Sequence, residues 1–295
     1  MKQAKPVRTA VIPAGGLGTR FLPFSRSVPK ELLPLVDTPV LDAVVSECAA
    51  SGIERVILVI APGKESLAAY FQPSPRLEER LRAEGRTAEL DALKRPERLA
   101  SVEVVVQREP KGNGHAVLVA REAVGDEPFA ILWGDDIVVG PTPALRQMLD
   151  ARDRLGGSVA GAARIAPADA SRYGVFSGTP EAGAYRVSGM VEKPAPADAP
   201  SDLAAVHGYV LEPEIFPILE RQAPGRGGEI WLVDAVSALA ARAPVWAVEL
   251  AGERYDAGDR AGYVTAFVDQ ALGRDDVGPA LRNHLRQRGW RPPGS

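Results

Sequence analysis

The chain has 295 residues, of which 45% are hydrophobic and 25% are charged, so its composition is that of a folded globular protein rather than a disordered or collagen-like chain. The net charge of −3 supplies no global basic field, and we therefore predict no nucleic-acid partner. Apolar runs fall well short of the roughly 18 residues that a membrane span needs. Cys48, the single cysteine, stands in an apolar stretch and is predicted to be a core residue. A cytoplasmic protein without a membrane partner is expected.

Strand-like apolar runs alternate with helical patterns in the first half of the chain. The first run is "RTAVIPA" (8–14), which is followed by a glycine-rich loop and then by a helical pattern over 39–52. Further buried strands are predicted at 55–61, 102–107 and 129–133. This alternation is typical of βαβ units and predicts an α/β fold with an open, mixed but mainly parallel sheet flanked by helices.

The pattern changes twice after the second predicted strand (55–61). Residues 73–100 are charged with spaced leucines, which predicts a helical insertion that is either a solvated amphipathic helix or an oligomer contact. From Ser158 onward the strand-like pieces become shorter, and they predict a smaller antiparallel β subregion laid against the parallel core. Because no low-complexity linker divides the chain, we predict a single domain over 1–274 and a C-terminal tail over 275–295.

The segment "PAGGLGTRFLPFSRSVPKE" (13–31) directly follows the first predicted strand. It is not a dinucleotide-binding fingerprint, because Phe21 stands where that motif needs glycine, and no lysine directly follows its last glycine as in a P-loop. Glycine amides can approach phosphate oxygens without a Cβ in the way, and cationic side chains add charge-assisted donors. The loop therefore suits a triphosphate, with a tight strand-to-loop turn as the alternative. The candidate groups are Gly15, Gly16, Gly18, Arg20 and Lys30.

The arrangement "GGLGTR…PKE" resembles the signature of nucleotidylyltransferases that make nucleoside-diphosphate sugars. Its continuation through residue 53 resembles the bacterial UTP–glucose-1-phosphate uridylyltransferases. Further matches follow in the order and approximate spacing of that family, and the resemblance covers roughly residues 7–272. They are "KGNGHAV" (111–117), "GDD" (134–136), "YGV" (173–175), "VEKP" (191–194), "GEIWLVDAV" (228–236) and "YDAGDRAGY" (255–263).

The resemblance implies a Rossmann-like nucleotidyltransferase fold with a nucleotide-binding part at about 7–157 and a sugar-binding part at about 158–274. It implies that a nucleotidyl group passes from UTP to glucose 1-phosphate, giving UDP-glucose and pyrophosphate by direct in-line attack without a protein nucleophile. Mg²⁺ is the implied cofactor, and a dimer or tetramer is the expected assembly.

The same resemblance assigns residue roles. A carboxamide such as that of Gln107 can both donate to and accept from a pyrimidine edge. The implied nucleotide-binding residues are Ala14, Gly15, Gly16, Gly18, Glu31, Gln107 and Gly112, the sugar-binding residues are Gly174, Glu192 and Lys193, and the catalytic residues are Arg20, Lys30 and Lys193.

Asp135 and Asp136 follow the strand predicted at 129–133, which places them at the carboxyl end of a strand, where open α/β sheets bind ligands. Carboxylates and phosphate oxygens are suitable ligands for Mg²⁺. By resemblance, Asp135 and Asp256 hold the metal. Asp136 alternatively caps the loop that follows it.

The sequence departs from the uridylyltransferase pattern on the sugar side. Trp231 and Val233 stand where glutamine and threonine are usual, and His207 stands where arginine or another residue is common. An altered sugar pocket is one interpretation, and packing of both side chains in a core beside the site is the other. Two functional alternatives remain: a thymidylyl- or adenylyltransferase acting on a related sugar 1-phosphate, and a non-catalytic regulatory protein of the same fold.

Overall fold

The structure is a computed structural model that describes residues 5–290. Residues 1–4 of the predicted domain and 291–295 of the predicted tail lie outside the described residues. The strands within residues 5–290 are β1 (Thr9–Pro13), β2 (Pro34–Leu35), β3 (Thr38–Pro39), β4 (Arg55–Ile60), β5 (Ser101–Val106), β6 (Phe129–Leu132), β7 (Asp136–Val139), β8 (Ser158–Arg164), β9 (Gly174–Glu181), β10 (Ala184–Glu192), β11 (Leu203–Leu211), β12 (Val245–Glu249) and β13 (Glu253–Asp256).

The α-helices of the same part of the chain connect these strands and flank them. They begin and end where the sequence signals lie: Pro39 precedes the first helix, and Gly52, with a φ of 91°, follows its end. The helices are α1 (Val40–Ala50), α2 (Ser66–Ala69), α3 (Pro75–Ala83), α4 (Thr87–Lys94), α5 (Asn113–Val119), α6 (Arg121–Val124), α7 (Ala144–Leu155), α8 (Ile215–Arg221), α9 (Leu232–Ala240), α10 (Arg260–Gly273) and α11 (Gly278–Gln287).

One mixed sheet of nine strands carries the fold, in the order β5-β4-β1-β6-β11-β8-β12-β10-β9. The pairs β5–β4, β4–β1, β1–β6 and β8–β12 are parallel, and the other pairs are antiparallel. Parallel pairing therefore predominates only in the first half of the sheet. The later strands extend that sheet instead of lying against it, and β9 returns to pair with β11.

Helices cover both faces of the sheet, as the nearly continuous apolar strands predict. Consecutive residues of β1 belong to different apolar clusters: Val11 belongs to the cluster that includes α5, α8 and α9, whereas Ile12 belongs to the one that includes α1 and α7. Cys48 of α1 is fully buried in the second cluster, which agrees with its prediction as a core residue. A smaller cluster joins α10 to β7 and β13.

The insertion at 73–100, strand β5 and helix α11 can each be compared with a prediction from the sequence. The helical insertion at 73–100 is confirmed as α3 and α4. The prediction of a buried strand at 102–107 is wrong about burial, because β5 is the edge strand and Val104 and Val106 are 41% and 40% exposed. Helix α11 forms most of the described part of the predicted tail and packs on α10.

Among residues 5–290, no helix combines the length and apolarity needed to cross a bilayer.

Candidate active site

The site lies near the middle of the nine-stranded sheet, at the carboxyl ends of β1 and β6. Strand β1 pairs with β4 on one side and with β6 on the other, so the loops that leave β1 and β6 emerge side by side at the carboxyl ends of the strands. Ala14 comes directly after β1 and donates its backbone N–H to the Val59 carbonyl at 2.8 Å. Asp135 lies just beyond β6. The glycine-rich loop and the predicted acidic pair are therefore neighbours.

Two cavities, of about 540 and 370 Å³, meet at this edge. Predicted nucleotide-binding residues line the larger one: Gly15, Gly16, Glu31, Gln107 and Gly112. Gly174, Glu192 and Asp256 line the smaller one. The cavities are contiguous, because six residues line both of them: Lys30, Asn113, Trp133, Asp135, Lys193 and Trp231.

Gln107 is anchored on the wall of the larger cavity. Its Nε2 donates to the Gly112 carbonyl at 3.1 Å and lies 2.9 Å from Nδ1 of His115. Because an amide NH2 group only donates, Nδ1 of His115 accepts this hydrogen bond. Burial and the charge of Lys111 lower the pKa of His115. Gly112 has a φ of 92°, which glycine adopts readily, and its backbone turns beside the carboxamide. His115 thus orients Gln107.

Lys30 lies at the junction of the two cavities and forms an ion pair with Asp135. Burial alone would lower the pKa of Lys30, but the charge and hydrogen bond of Asp135 outweigh burial and raise it. Gly18, with a φ of 65°, packs against the Lys30 side chain. Arg20 is exposed and lines neither cavity; its Nη1 donates to the Gly258 carbonyl at 3.2 Å. The ammonium of Lys30 therefore faces both cavities, and Arg20 supports the loop behind it.

The two predicted metal ligands, Asp135 and Asp256, face a common point. The Ala257 N–H donates to the Asp135 carbonyl at 2.8 Å, which holds the end of β13 beside the end of β6. A Cβ on Gly258 would collide with Asp135 Oδ2 and stand 3.1 Å from Asp256 Oδ1. Burial, together with the negative charges of Asp135 and Asp136, raises the pKa of Asp256. Within residues 5–290, no group of three or more His, Cys, Asp and Glu side chains forms a metal cage.

Asp136 has a structural environment distinct from that of Asp135. It is 5% exposed, and its carboxylate accepts hydrogen bonds from Arg254 Nε and Nη2 at 2.9 and 2.7 Å. It also accepts the backbone N–H of His207 at 3.0 Å. The fully buried His207 ring in turn lies 2.9 Å from Glu47 Oε1. Asp136 therefore ties β7 to β11 and β13, a wider role than the loop cap considered from the sequence.

The "VEKP" segment brings a carboxylate and an ammonium to the smaller cavity. Lys193 has a left-handed backbone with a φ of 46°, and its Nζ lies 3.2 Å from Glu192 Oε1. The same ammonium stands 4.7 Å from the centre of the Trp231 ring, which is within cation–π range. Burial raises the pKa of Glu192, and the charge of Lys193 opposes that shift. Lys193 is thus held between a carboxylate and an aromatic face.

Trp231 and Val233 occupy different environments. Trp231 is partly buried and lines both cavities, so it does not simply pack in a core. Val233 is 3% exposed and belongs to the core, yet its side chain also borders the smaller cavity. A Cβ on Gly174 would lie 2.7 Å from Val233 Cγ2, so the valine and the glycine backbone are close-packed.

Comparison with known proteins decides the family. The sequence profile of the Nucleotidyl transferase family matches residues 9–271. The chain belongs to this family. It is 42% identical over 288 residues to a Bacillus subtilis (strain 168) protein named UTP–glucose-1-phosphate uridylyltransferase, with 96% of this chain and 99% of that protein aligned.

Solved structures also match the fold. A UTP-bound UGPase from Acinetobacter baumannii has a TM-score of 0.87 and 32% identity, with 96% of this chain and 99% of that one covered. A UDP-glucose pyrophosphorylase in complex with UDP-glucose has a TM-score of 0.81 and 35% identity, with 91% and 100% covered. The prediction of a mixed α/β nucleotidyltransferase fold is confirmed.

Several residues of this family member's site were not singled out from the sequence. Arg172 lines the smaller cavity and donates to Asp256 Oδ2 at 3.2 Å; its place directly before "YGV" was the available signal. Asn113 and Trp133 line both cavities and stand inside or beside segments that were already identified. Lys64 lies behind the glycine-rich loop, and its only signal is its place after the second parallel strand.

Proposed function

We propose that the protein transfers the uridylyl group of UTP to glucose 1-phosphate, giving UDP-glucose and pyrophosphate. The observation that carries the proposal is the pair of contiguous cavities that meet at Lys30, Asp135 and Lys193. A reaction between two anionic substrates needs two adjoining subsites with cationic groups at the junction. The names of the Bacillus relative and of the matched structures support the choice of UTP and glucose 1-phosphate.

The nucleotide occupies the larger cavity in this proposal. The amides of Gly15 and Gly16 approach its phosphates, and Gln107 with the backbone of Gly112 meets the pyrimidine edge. The carboxamide is already oriented by His115 and therefore loses little freedom when the base binds.

The sugar phosphate occupies the smaller cavity. The carboxylate of Glu192 accepts hydrogen bonds from sugar hydroxyls, and the ammonium of Lys193 pairs with the phosphate. Gly174 brings its backbone close to the sugar.

The chemical step is a direct displacement. A phosphate oxygen of glucose 1-phosphate forms a bond to the α-phosphorus of UTP, and the bond from that phosphorus to the bridging oxygen breaks, so its electron pair leaves with pyrophosphate. No side chain becomes covalently attached. Lys30 and Lys193 face both cavities and stabilise the charge that gathers on the phosphoryl oxygens. Arg20 supports the glycine-rich loop from behind through its hydrogen bond to the Gly258 carbonyl.

Asp135 and Asp256 are the residues that would hold Mg²⁺. The fit rests on two oxygen donors that border one point, with a raised pKa at Asp256 that neighbouring negative charge helps to cause. When bound, the ion neutralises charge on phosphate oxygens. The nucleotide part at 7–157 and the sugar part at 158–274 both contribute to this junction in the proposal. Assembly as a dimer or tetramer stays a prediction.

A panel of substrates tests this function against its alternatives. Pyrophosphate release is measured with UTP, dTTP, ATP, CTP and GTP against glucose, galactose and mannose 1-phosphates in the presence of Mg²⁺. We expect the highest kcat/KM for UTP with glucose 1-phosphate. A higher kcat/KM with dTTP or ATP would assign the thymidylyl- or adenylyltransferase activity instead, and a folded protein without any turnover would favour the regulatory role.

The sugar preference is expected to differ from that of uridylyltransferases that have glutamine and threonine at positions 231 and 233. Here Trp231 and Val233 replace that amide and that hydroxyl at the smaller cavity. A sugar hydroxyl that faces these side chains loses a hydrogen bond worth about 0.5–1.5 kcal/mol, so deoxy or epimeric sugar phosphates should be discriminated against less strongly. Trp231→Gln/Val233→Thr is expected to raise the kcat/KM ratio of glucose over 2-deoxyglucose 1-phosphate by about 2- to 10-fold. Trp290→Gln, at a 45% exposed tryptophan, is the matched control. An unchanged ratio in a folded double variant contradicts an altered pocket.

A further inference from the structure

Lys64 stands directly behind the glycine-rich loop. It follows β4 in a turn whose Lys64 N–H donates to the Ala61 carbonyl at 3.2 Å. Strands β4 and β1 are parallel neighbours, so this turn lies beside the point where Ala14 leaves β1. The lysine side chain is 14% exposed. It therefore packs underneath the loop that begins with Ala14.

The ammonium of Lys64 makes three contacts, as many as it has N–H donors. Its Nζ donates to the Ala14 carbonyl at 2.8 Å and lies 3.2 and 3.1 Å from Oε1 and Oε2 of Glu31. Lys64 lines neither of the two cavities, whereas Glu31 lines the larger one. The lysine thus acts on the cavity only through Glu31 and the loop backbone.

Glu31 is 1% exposed, which makes its charge costly to leave unpaired. Burial raises the pKa of Glu31, and the positive charges of Lys64 and Lys30 oppose that shift. Lys30 is already paired with Asp135, so Lys64 is the cation that contacts the Glu31 carboxylate directly. Without Lys64, a buried carboxylate with no direct cationic contact would face a cavity in which we place a triphosphate.

We infer that Lys64 is a positioning residue for the nucleotide: it fixes the start of the glycine-rich loop and neutralises Glu31 before the triphosphate binds. The inference rests on the proposed function of the larger cavity. It predicts that loss of the ammonium weakens the triphosphate far more than the sugar phosphate. It also predicts that removing the Glu31 charge relieves part of that loss, because the two side chains act as a pair.

The test compares Lys64→Met, Lys64→Arg, Glu31→Gln and Glu31→Gln/Lys64→Met in the full chain. Binding of UTP with Mg²⁺ is measured by calorimetry, and KM is measured separately for UTP and glucose 1-phosphate. We expect Lys64→Met to raise the Kd and KM for UTP about tenfold or more, and the KM for glucose 1-phosphate by no more than about twofold. Lys64→Arg keeps the charge and should retain most of the affinity.

The double variant should bind UTP at least about fivefold more tightly than Lys64→Met, which is the coupling expected of a contacting pair. Lys94→Met is the matched control, since Lys94 also pairs with a largely buried carboxylate, Glu78 at 3.3 Å, but in the helical insertion. Equal defects for both substrates, unchanged UTP binding by Lys64→Met, or no recovery in the double variant would each overturn the inference.

A variant that does not fold and a parent protein that does not use UTP are distinguished as follows. If Lys64→Met does not fold, Lys64→Arg and the double variant carry the test, since neither leaves Glu31 as an unpaired buried charge. The parent protein, Lys64→Met, Glu31→Gln and the double variant give a double-mutant cycle in the free energy of unfolding, which needs no substrate. If the parent protein neither binds nor turns over UTP, the proposed function fails, while the cycle still reports the pair; additive effects on unfolding overturn the pairing itself.

Discussion

Asp135→Asn and Asp256→Asn are each expected to lower kcat/KM by about 100-fold or more with Mg²⁺ present, because each removes an anionic oxygen ligand from the point that both carboxylates face. Electrostatics alone predicts the opposite for Asp135, since its loss leaves the Lys30 ammonium unpaired beside an anionic substrate. The direction of the change therefore distinguishes a metal ligand from a simple source of negative charge.

The measurement for these variants is the initial rate of pyrophosphate release over a range of Mg²⁺ and Mn²⁺ concentrations. Asp202→Asn is the control, because Asp202 is half-exposed and pairs with Arg164 at 2.7 Å away from the cavities. Thermal unfolding shows that the variants are folded. Full activity of either site variant, or of the parent protein in excess chelator, would contradict the assignment of Asp135 and Asp256 as metal ligands.

Lys30→Ala and Lys193→Ala are expected to impair different substrates, each by about 10- to 100-fold in the affected kcat/KM. Lys30 belongs to the loop that follows β1 and packs against Gly18, so its loss should mainly impair use of UTP. Lys193 lies beside Glu192 and Trp231, so its loss should mainly raise the KM for glucose 1-phosphate.

Each lysine variant is the control for the other, because both residues line both cavities. The two KM values are determined by varying one substrate while the other is saturating. Lys30→Ala should leave the KM for glucose 1-phosphate within about threefold of the parent value. Matching defects in both variants would show that the two lysines act as one unit at the junction, and the proposed division would be wrong.

The central strands were predictable from sequence because their burial on both faces requires continuous apolar runs. "RVILVIA" predicts β4 to within one residue for that reason, and the turn residues around it mark its ends. Burial of β5 was not predictable in the same way. Its valines resemble those of a central strand, and edge position depends on which strands pair, which is a property of the whole sheet.

Some residues of the candidate site could be predicted from local sequence motifs, whereas contacts between distant segments could not. Residues within short motifs, such as Lys30 and Glu192, could be named because those motifs resemble segments of the family. Contacts between distant segments could not be named: Lys64 meets Glu31 across 33 positions and Arg254 meets Asp136 across 118. The first pair depends on β4 lying beside β1 in the nine-stranded sheet, and the second depends on the pairing of β13 with β7. The local sequence pattern specifies neither of these pairings.

The most direct test of the proposed reaction follows its phosphorus-containing species by ³¹P nuclear magnetic resonance. The purified protein is mixed with UTP, glucose 1-phosphate and Mg²⁺, and the products are identified over time. We expect UDP-glucose and pyrophosphate to appear in equal amounts as glucose 1-phosphate disappears. Release of UMP with pyrophosphate while glucose 1-phosphate persists, or unchanged substrates with a folded protein, would contradict it.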